Sequence, residues 1–263
     1  MSETPSYPSW ARPHPTPRLK GSEVRERVLS AAEKLLEQTG LTVGLDHLNM
    51  EELIRHVGVP RTSVFKEFGG KESLVTALTI RMIQPEESIG AAFSPETIKA
   101  ANLVLYANGH RMGTQEGRDA VLREAVRVGA LRNYQDVLTS PSWKTYMALS
   151  VSLPGLEPSR RNAILEALQT VEVRFIQRMA EFYASLLKPF NRKVRSGCSL
   201  EQIAAAGSAV VEGLAQRHML NPEIVDTPLM LSGLNGDLVE WHLAALGFWA
   251  VVDGMTEVDS PDN

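Results

Sequence analysis

The side chains with the clearest capacity for chemistry lie between Asn49 and Lys71, in the stretch NMEELIRHVGVPRTSVFKEFGGK. From Arg55 to Lys71, four basic residues stand against one acidic residue, Glu67. Arginine, lysine and hydroxyl side chains can donate hydrogen bonds to phosphate oxygens and to base edges. The whole chain carries a net charge of −4, so this small local excess indicates nucleic acid only through the structure that presents it.

Two short helices joined by a tight turn must present these side chains. Asn49 can cap the first helix by accepting a hydrogen bond from a backbone N–H of its first turn. Gly58 supplies the left-handed backbone position that ends this helix, and Pro60 suits the first turn of the next one. The first helix has an apolar face formed by Leu53, Ile54 and Val57.

The second helix separates apolar from polar residues. Val64 and Phe68 fall on one face, and Gly69-Gly70 ends the helix. The polar residues on or beside the opposite face are Arg61, Ser63, Lys66 and Glu67. This is the pattern of a helix-turn-helix, whose second helix enters the major groove of DNA.

Specific residues within this pattern resemble the DNA-binding signature of the tetracycline-repressor (TetR) family of bacterial regulators. The resemblance extends back over Val24–Gly40, as a first helix, and forward over Glu72–Met82, as a fourth, and so covers roughly a quarter of the chain. The residues that carry it are Gly58-Val59, Ser63-Val64-Phe65, Phe68 and Lys71-Glu72.

The resemblance implies a role for each matching residue. Arg61, Ser63 and Lys66 would contact base edges, with Thr62 close to the DNA. Arginine or lysine pairs best with guanine, whereas serine or threonine is adaptable. Asn49 and Lys71 would hold phosphates, which fix the register of the protein on the duplex.

Two residues depart from the family pattern. Phe65 stands where a tyrosine is frequent, so it is expected to offer apolar contact, for example to a thymine methyl group, in place of a phenolic contact to phosphate. Glu67 stands where histidine, tyrosine or arginine is frequent, and it is expected either to repel phosphate or to accept a hydrogen bond from cytosine.

Composition bounds the other possibilities. The single cysteine, Cys198, excludes an intramolecular disulfide and a Cys-based zinc site, and is expected to be a free thiol in a reducing cytosol. No apolar run approaches the roughly 18–20 residues of a membrane span. Because the Pro-rich N-terminus lacks an apolar signal core, we expect a soluble, cytoplasmic protein without membrane contact.

The pattern of breaks predicts an all-α protein with three segments. Residues 1–21 contain five prolines and are expected to be disordered, although Arg12, Arg18 and Lys20 could alternatively form an arm that reaches a minor groove or the phosphates. Residues 22–84 form a three-helix helix-turn-helix DNA-binding domain. Residues 85–263 form a helical domain for effector binding and dimerisation.

Serine, threonine and proline residues predict where the later helices begin. Ser22 would cap a helix over Glu23–Gln38, and another helix would run over Glu72–Ile83. The segment Lys188–Ser199 is expected to be a loop, and no convincing two-residue alternation predicts a strand anywhere. The remaining helices are expected to begin at Ser94-Pro95, Thr114, Ser140-Pro141, Pro158, Leu200 and about Leu234.

The last two predicted helices have the composition of a buried or oligomeric surface. Leu200–Leu220 is rich in small residues, and the last helix, to about Thr256, is apolar over more than one face. The resemblance implies that these two helices pair with those of a second subunit, whereas the alternative is that they complete the monomer core. Candidates for the dimer interface are Val210, Leu214, Trp241, Leu246 and Trp249.

The middle helices carry aromatic and methionine side chains with few charges. Such residues suit an apolar cavity for a small molecule, although each taken singly is more often plain core. Candidate effector contacts are Tyr106, Met112, Trp143, Tyr146, Met147, Phe175, Met179 and Phe182. The resemblance thus implies a homodimeric repressor that binds a palindromic operator in double-stranded DNA and is released by a small apolar effector.

Signatures of catalysis are missing from the sequence. The six histidines form neither H-E-x-x-H nor a Cys/His cluster, and no G-x-S-x-G or G-x-G-x-x-G motif occurs in a suitable context. We therefore expect no enzyme, no catalytic residue, no cofactor and no metal. Two alternatives stay open: a helical module that senses a ligand or partner without binding DNA, and an activator with the same fold.

Overall fold

A computed structural model of the protein describes residues 19–39, 50–83 and 94–259. Most of the predicted Pro-rich arm, with Arg12 and Arg18, lies outside these residues, as does the predicted cap Asn49. The chain divides into two compact units, Met1–Arg81 and Met82–Asn263. Each unit is described separately below.

The described residues of the first unit form four helices: α1 Gly21–Thr39, α2 Met50–Val57, α3 Arg61–Phe68 and α4, which begins at Lys71 and ends at Ile83. Helices α2 and α3 both pack on α1. Helix α1 begins at Gly21, one residue before the predicted cap Ser22. The carboxylate of Glu23 accepts a hydrogen bond from the Lys20 N–H (2.9 Å) and so satisfies a backbone donor at the start of the helix. The core of this unit is formed by Val24, Val28, Ala32, Leu53, Val59, Val64, Phe68, Leu74, Val75 and Leu78.

The second unit is also mainly helical. Three of its helices begin where polar caps predicted them, since Ser94, Thr114 and Ser140 each accept a hydrogen bond from a backbone N–H three residues later, at 3.0–3.1 Å. Its helices are α5 Pro95–Ala107, α6 Gln115–Thr139, α7 Pro141–Ser152, α8 Pro158–Leu187, α9 Leu200–His218, α10 Pro222–Asp226 and α11 Leu243–Met255. The predicted all-α class is confirmed, with minor sheets added.

Four short strands correct the prediction that no strand occurs. They form two antiparallel pairs: β1 Arg192–Val194 with β4 Thr256–Val258, and β2 Leu229–Ser232 with β3 Leu238–Trp241. Strand β1 lies within the predicted loop Lys188–Ser199. Because each strand has only three or four residues, no alternation long enough to recognise exists.

Strand β3 also corrects the predicted start of the last helix near Leu234. The chain turns at Gly233–Gly236, where Gly236 has a positive φ of 86°, and then runs back as β3. Helix α11 begins only after His242, whose Nδ1 accepts a hydrogen bond from the Ala244 N–H at 3.1 Å.

The end of α11 is tied down by Arg192. The side chain of Arg192 is largely buried and bonds to Asp119 of α6 (2.8 Å), to Asp253 of α11 (3.2 Å) and to the hydroxyl of Thr256 (3.0 Å). This guanidinium therefore joins β1, β4, α6 and α11 in one network.

Candidate functional site

The chain presents α3 as an exposed helix on a packed support. Val64 is fully buried and Phe68 is 5% exposed, and both lie within the core of the first unit. Arg61, Thr62, Phe65 and Lys66 are exposed on the other side of the same helix. The predicted separation of apolar and polar faces is therefore present, and it holds four adjacent side chains outward.

Two glycines shape the ends of this element. Gly58 has a φ of 67° in the turn before α3, and Gly69 has a φ of 76° after it, with its N–H donating to the carbonyl oxygen of Phe65 at 2.8 Å. Both conformations strongly favour glycine. Val59 is buried at the corner, and Pro60 occupies the position just before α3 rather than its first turn.

Arg61 is held on the exposed face by two contacts. Its guanidinium lies 2.6 Å from a carboxylate oxygen of Glu51 on α2 and 5.1 Å from the ring centroid of Phe65. Both members of the ion pair are mostly exposed, and such pairs contribute only about 0–1 kcal/mol. The guanidinium can therefore leave Glu51 at small cost when a stronger acceptor approaches.

Glu67 points to α1 and away from the exposed face of α3. Its carboxylate lies 3.8 Å from the guanidinium of Arg25, which stacks over the ring of Phe68 at 5.2 Å. A Cβ atom at Gly21 would come within 2.7 Å of a Glu67 carboxylate oxygen, so the glycine leaves room for this approach. The acidic residue therefore faces the positive end of the α1 dipole.

The remaining predicted DNA contacts occupy less exposed positions. Ser63 is half-buried on α3, and Lys71 is half-buried as the first residue of α4. Asn49 lies outside the described residues. The DNA-contacting roles of all seven residues stay predictions.

Comparison with known proteins bears on this arrangement. Residues 28–78 match the model of the family described as "Bacterial regulatory proteins, tetR family". The matched segment runs from α1 through the helix-turn-helix into α4, over the residues whose geometry is given above. Residues 28–78 therefore form the helix-turn-helix DNA-binding domain of a TetR family regulator of transcription, as the resemblance implied.

Two solved structures can be aligned with the chain at low similarity. The crystal structure of reduced NemR from E. coli is 14% identical, with a TM-score of 0.46, and a TetR family transcriptional regulator from Cytophaga hutchinsonii is 12% identical, with a TM-score of 0.45. Each alignment covers 90% of this chain and 98% of the other. A comparison with curated protein sequences finds no match. The family assignment rests on the N-terminal match.

The second unit of this TetR family regulator contains an apolar cavity of about 70 Å³. Side chains from α5, α6, α8, α9 and α11 surround it, and three of the predicted effector contacts, Phe175, Met179 and Phe182, line it. Sequence reasoning missed the other walls, which include Ala101, Gly129, Tyr183, Gly207, Val211 and Phe248.

The other five predicted effector contacts lie elsewhere in this unit. Tyr106 is 84% exposed, and Met112 packs against the cluster around Trp241 and Phe190. Trp143 and Met147 pack against α9, and Tyr146 donates a hydrogen bond from its hydroxyl to Glu172 Oε2 (3.0 Å).

The predicted dimer contacts are divided between core and surface. Trp241 is 2% exposed, so within one chain it is a core residue. The other four, Val210, Leu214, Leu246 and Trp249, are half-buried. A more exposed set of apolar side chains, on the β2–β3 hairpin, was not predicted: Leu229, Met230, Leu231 and Leu238.

Asp226 joins three polar aromatic side chains beside this region. Its carboxylate accepts a hydrogen bond from the hydroxyl of Tyr134 (3.1 Å) and contacts His218 Nδ1 (3.0 Å) and His242 Nε2 (3.4 Å). Burial acts to raise the pKa of Asp226, but these three partners outweigh it and hold the pKa below its usual value. The cluster links α6, α9, α10 and the start of α11.

Two further findings concern the described residues alone. Within residues 19–39, 50–83 and 94–259, no group of three or more His, Cys, Asp or Glu side chains is placed to hold a metal ion. In the same ranges, no helix is both long and apolar enough to span a membrane.

Proposed function

We propose that the protein is a homodimeric repressor that binds a palindromic operator through α3 and is released when a small, largely apolar effector enters the second unit. The observation that carries the proposal is the exposure of Arg61, Thr62, Phe65 and Lys66 on a helix whose opposite face is core. Two copies of this helix, related by a two-fold axis, would read two half-sites about 34–36 Å apart.

The exposed face of α3 has the chemistry for reading bases. The guanidinium of Arg61 and the ammonium of Lys66 can donate to the acceptors of guanine in the major groove, and Phe65 can contact a thymine methyl group. Lys71 begins α4, where the partial positive charge of the helix N-terminus adds to its own charge and favours phosphate.

Apolar surface on the second unit supports dimerisation. Leu229, Met230, Leu231 and Leu238 of the β2–β3 hairpin are exposed, as are Leu220 and Ile224 beside it. Exposed apolar surface of this kind is typical of protein–protein contact sites. We infer that this hairpin contributes to the dimer surface together with the half-buried side chains of α9 and α11.

The small volume of the cavity supports an effector that pushes the surrounding side chains or helices apart. Pockets for drug-sized ligands have volumes of about 300–1,000 Å³, whereas this cavity has about 70 Å³. A drug-sized ligand that is fully buried there would have to move the side chains or helices that line the cavity. Release from DNA follows if the expanded conformation no longer matches the spacing of the half-sites, because a ligand shifts an equilibrium toward the state it binds better.

The test is to select and sequence binding sites from a pool of random duplex DNA at near-physiological salt. We expect an enriched inverted repeat whose half-sites lie about one helical turn apart. Absence of enrichment, with the protein folded and dimeric, would contradict operator binding and favour a helical module that senses a ligand without DNA.

Two substitutions then separate base contacts from phosphate contacts. Arg61→Ala should relax the preference at one base pair and cost about 1–3 kcal/mol on the selected site, whereas Lys71→Ala should weaken binding to all sequences and reduce the salt slope by about one. Lys99→Ala, at an exposed position on α5, is the matched control and should change neither quantity. Equal effects of Arg61→Ala and Lys71→Ala on specific and random DNA would refute these assignments.

A further inference from the structure

Two carboxylates lie close together where α7, α8 and α9 meet. Glu172 of α8 accepts the hydroxyl hydrogen bond of Tyr146 of α7 at 3.0 Å. Glu212 of α9 is half-buried near Glu172. Burial, and then the negative charge of Glu172, raise the pKa of Glu212 to about 7. Among the described residues, the charge that acts on Glu212 is thus another negative charge, and no cation contributes.

A buried indole with an unused donor faces the same carboxylate. Trp143 of α7 is only 8% exposed, and its Nε1 has no hydrogen-bond partner among the described residues. Its N–H group is directed toward the carboxylate of Glu212 and acts to lower the pKa of that group. The approach is therefore too long or too bent for a full hydrogen bond, and the indole N–H remains unsatisfied. Such unsatisfied buried groups are costly.

The carboxylates continue two walls of the apolar cavity. Residues three or four apart lie on one face of a helix, so Glu212 follows the cavity residue Ser208 on α9, and Glu172 precedes the cavity residue Phe175 on α8. Val211 both lines the cavity and packs in the cluster that contains Trp143. The polar site and the apolar cavity are therefore neighbours.

We propose that Glu172 and Glu212 bind the ammonium group of an amphipathic amine effector whose apolar part enters the cavity. This assignment rests on the proposed effector role of the cavity and adds the chemical class of the ligand. An ammonium group has three donors and no acceptor, so it can bridge both carboxylates. Its positive charge favours ionised Glu212, which then becomes a stronger acceptor for the Trp143 N–H.

The experiment compares hexylamine, which is an ammonium ion at neutral pH, with 1-hexanol, its neutral counterpart of similar shape, by isothermal titration calorimetry. We expect the amine to bind at least about tenfold more tightly than the alcohol, since charge-assisted hydrogen bonds are stronger than neutral ones. In the Glu172→Gln/Glu212→Gln variant the two ligands should bind with similar affinity. The matched control is Glu181→Gln, an exposed position on α8, which should keep the preference.

The outcomes separate this proposal from the general one. Equal binding of amine and alcohol by the unmodified protein would overturn the cation site and leave the effector cavity standing. A preference for amine that survives the double substitution, or no binding of amine at all, would also overturn it, while operator selection tests DNA binding independently. Glu212→Gln alone keeps the Tyr146–Glu172 hydrogen bond and serves as the second variant, with folding monitored by circular dichroism.

Discussion

The two units of this TetR family regulator present their functional side chains in opposite ways. In the first unit, the proposed base contacts Arg61, Phe65 and Lys66 are neighbours on one eight-residue helix and lie exposed, while the core lies behind them. In the second unit, the cavity is lined by side chains from five helices spread over residues 97–248. One site is a surface that a single helix carries, and the other is a gap that no single helix defines.

Because of this difference, the binding residues also stabilise the fold in the second unit but contribute little to stability on α3. Exposed side chains of α3 can be removed without disturbing the core, because Val64 and Phe68 hold the helix from its other face. Side chains around the cavity serve as core and as candidate ligand contacts at once. Substitutions in the second unit should therefore change stability and ligand binding together, whereas those on α3 should separate them.

The largest expected effect comes from Phe68→Ala, which removes a buried ring from the core of the first unit. Loss of a buried phenylalanine costs about 3–5 kcal/mol, so we expect a large fall in the melting temperature of this unit and loss of operator binding. The control Phe65→Ala removes the same side chain from an exposed position and should cost little stability. Thermal denaturation measures both, and similar losses would contradict the division of α3 into a core face and an exposed face.

A smaller loss should follow Gly207→Ala in α9. A Cβ atom at Gly207 would overlap the ring of Phe248, so the ring must move, and overpacking of this kind costs about 1–3 kcal/mol. Because Phe248 lines the cavity, we also expect weaker binding of hexylamine. Gly213→Ala on the same helix meets open space and should be neutral or stabilising. A harmless Gly207→Ala substitution would show that the cavity absorbs the ring.

The smallest effect concerns pH and Glu212. Because its pKa in the folded protein, about 7, lies above the ordinary value of 4.5, the folded state binds the extra proton between these values. Stability should therefore fall as the pH rises from about 4.5 to 7. Glu212→Gln should remove this loss, stabilising the protein at pH 8 and leaving its stability unchanged at pH 4. The control Glu181→Gln should show no pH-dependent difference, and an equal effect of Glu212→Gln at both pH values would contradict the argument.

The sequence predicted most elements whose cause is local. The left-handed Gly58, the end of α3 at Gly69-Gly70 and the helix starts at Ser94-Pro95, Thr114 and Ser140-Pro141 are confirmed, because each depends on residues within one turn of the helix. The amphipathic pattern of α3 is equally local. These features needed no knowledge of the distant chain.

What the sequence did not predict depends on distant partners. Strand β1 exists because it pairs with β4, and Arg192 is buried because Asp119 and Asp253 surround it. Glu67, which departs from the family pattern, is accommodated by two residues of α1: Gly21 leaves room for its carboxylate, and Arg25 lies 3.8 Å from it.

The candidate effector residues were predicted only in part. Helical spacing on α8 correctly placed Phe175, Met179 and Phe182 on one face, and that face lines the cavity. The proximity of Glu172 to Glu212 was not predicted, because it depends on how α8 packs against α9. Tyr106 has the composition of a ligand contact, but its helix turns it outward.

Helix α11 is held by side-chain and backbone interactions at both ends. At its start, His242 is fixed by Asp226 and by the Ala244 N–H, and at its end Arg192 and the β1–β4 pair hold Asp253 and Thr256. A helix that is held at both ends moves less than a helix with one free end. The part of α11 that carries Phe248 should therefore move less than the other helices around the cavity. The space that an effector needs must come from the side chains and helices opposite the Phe248 ring.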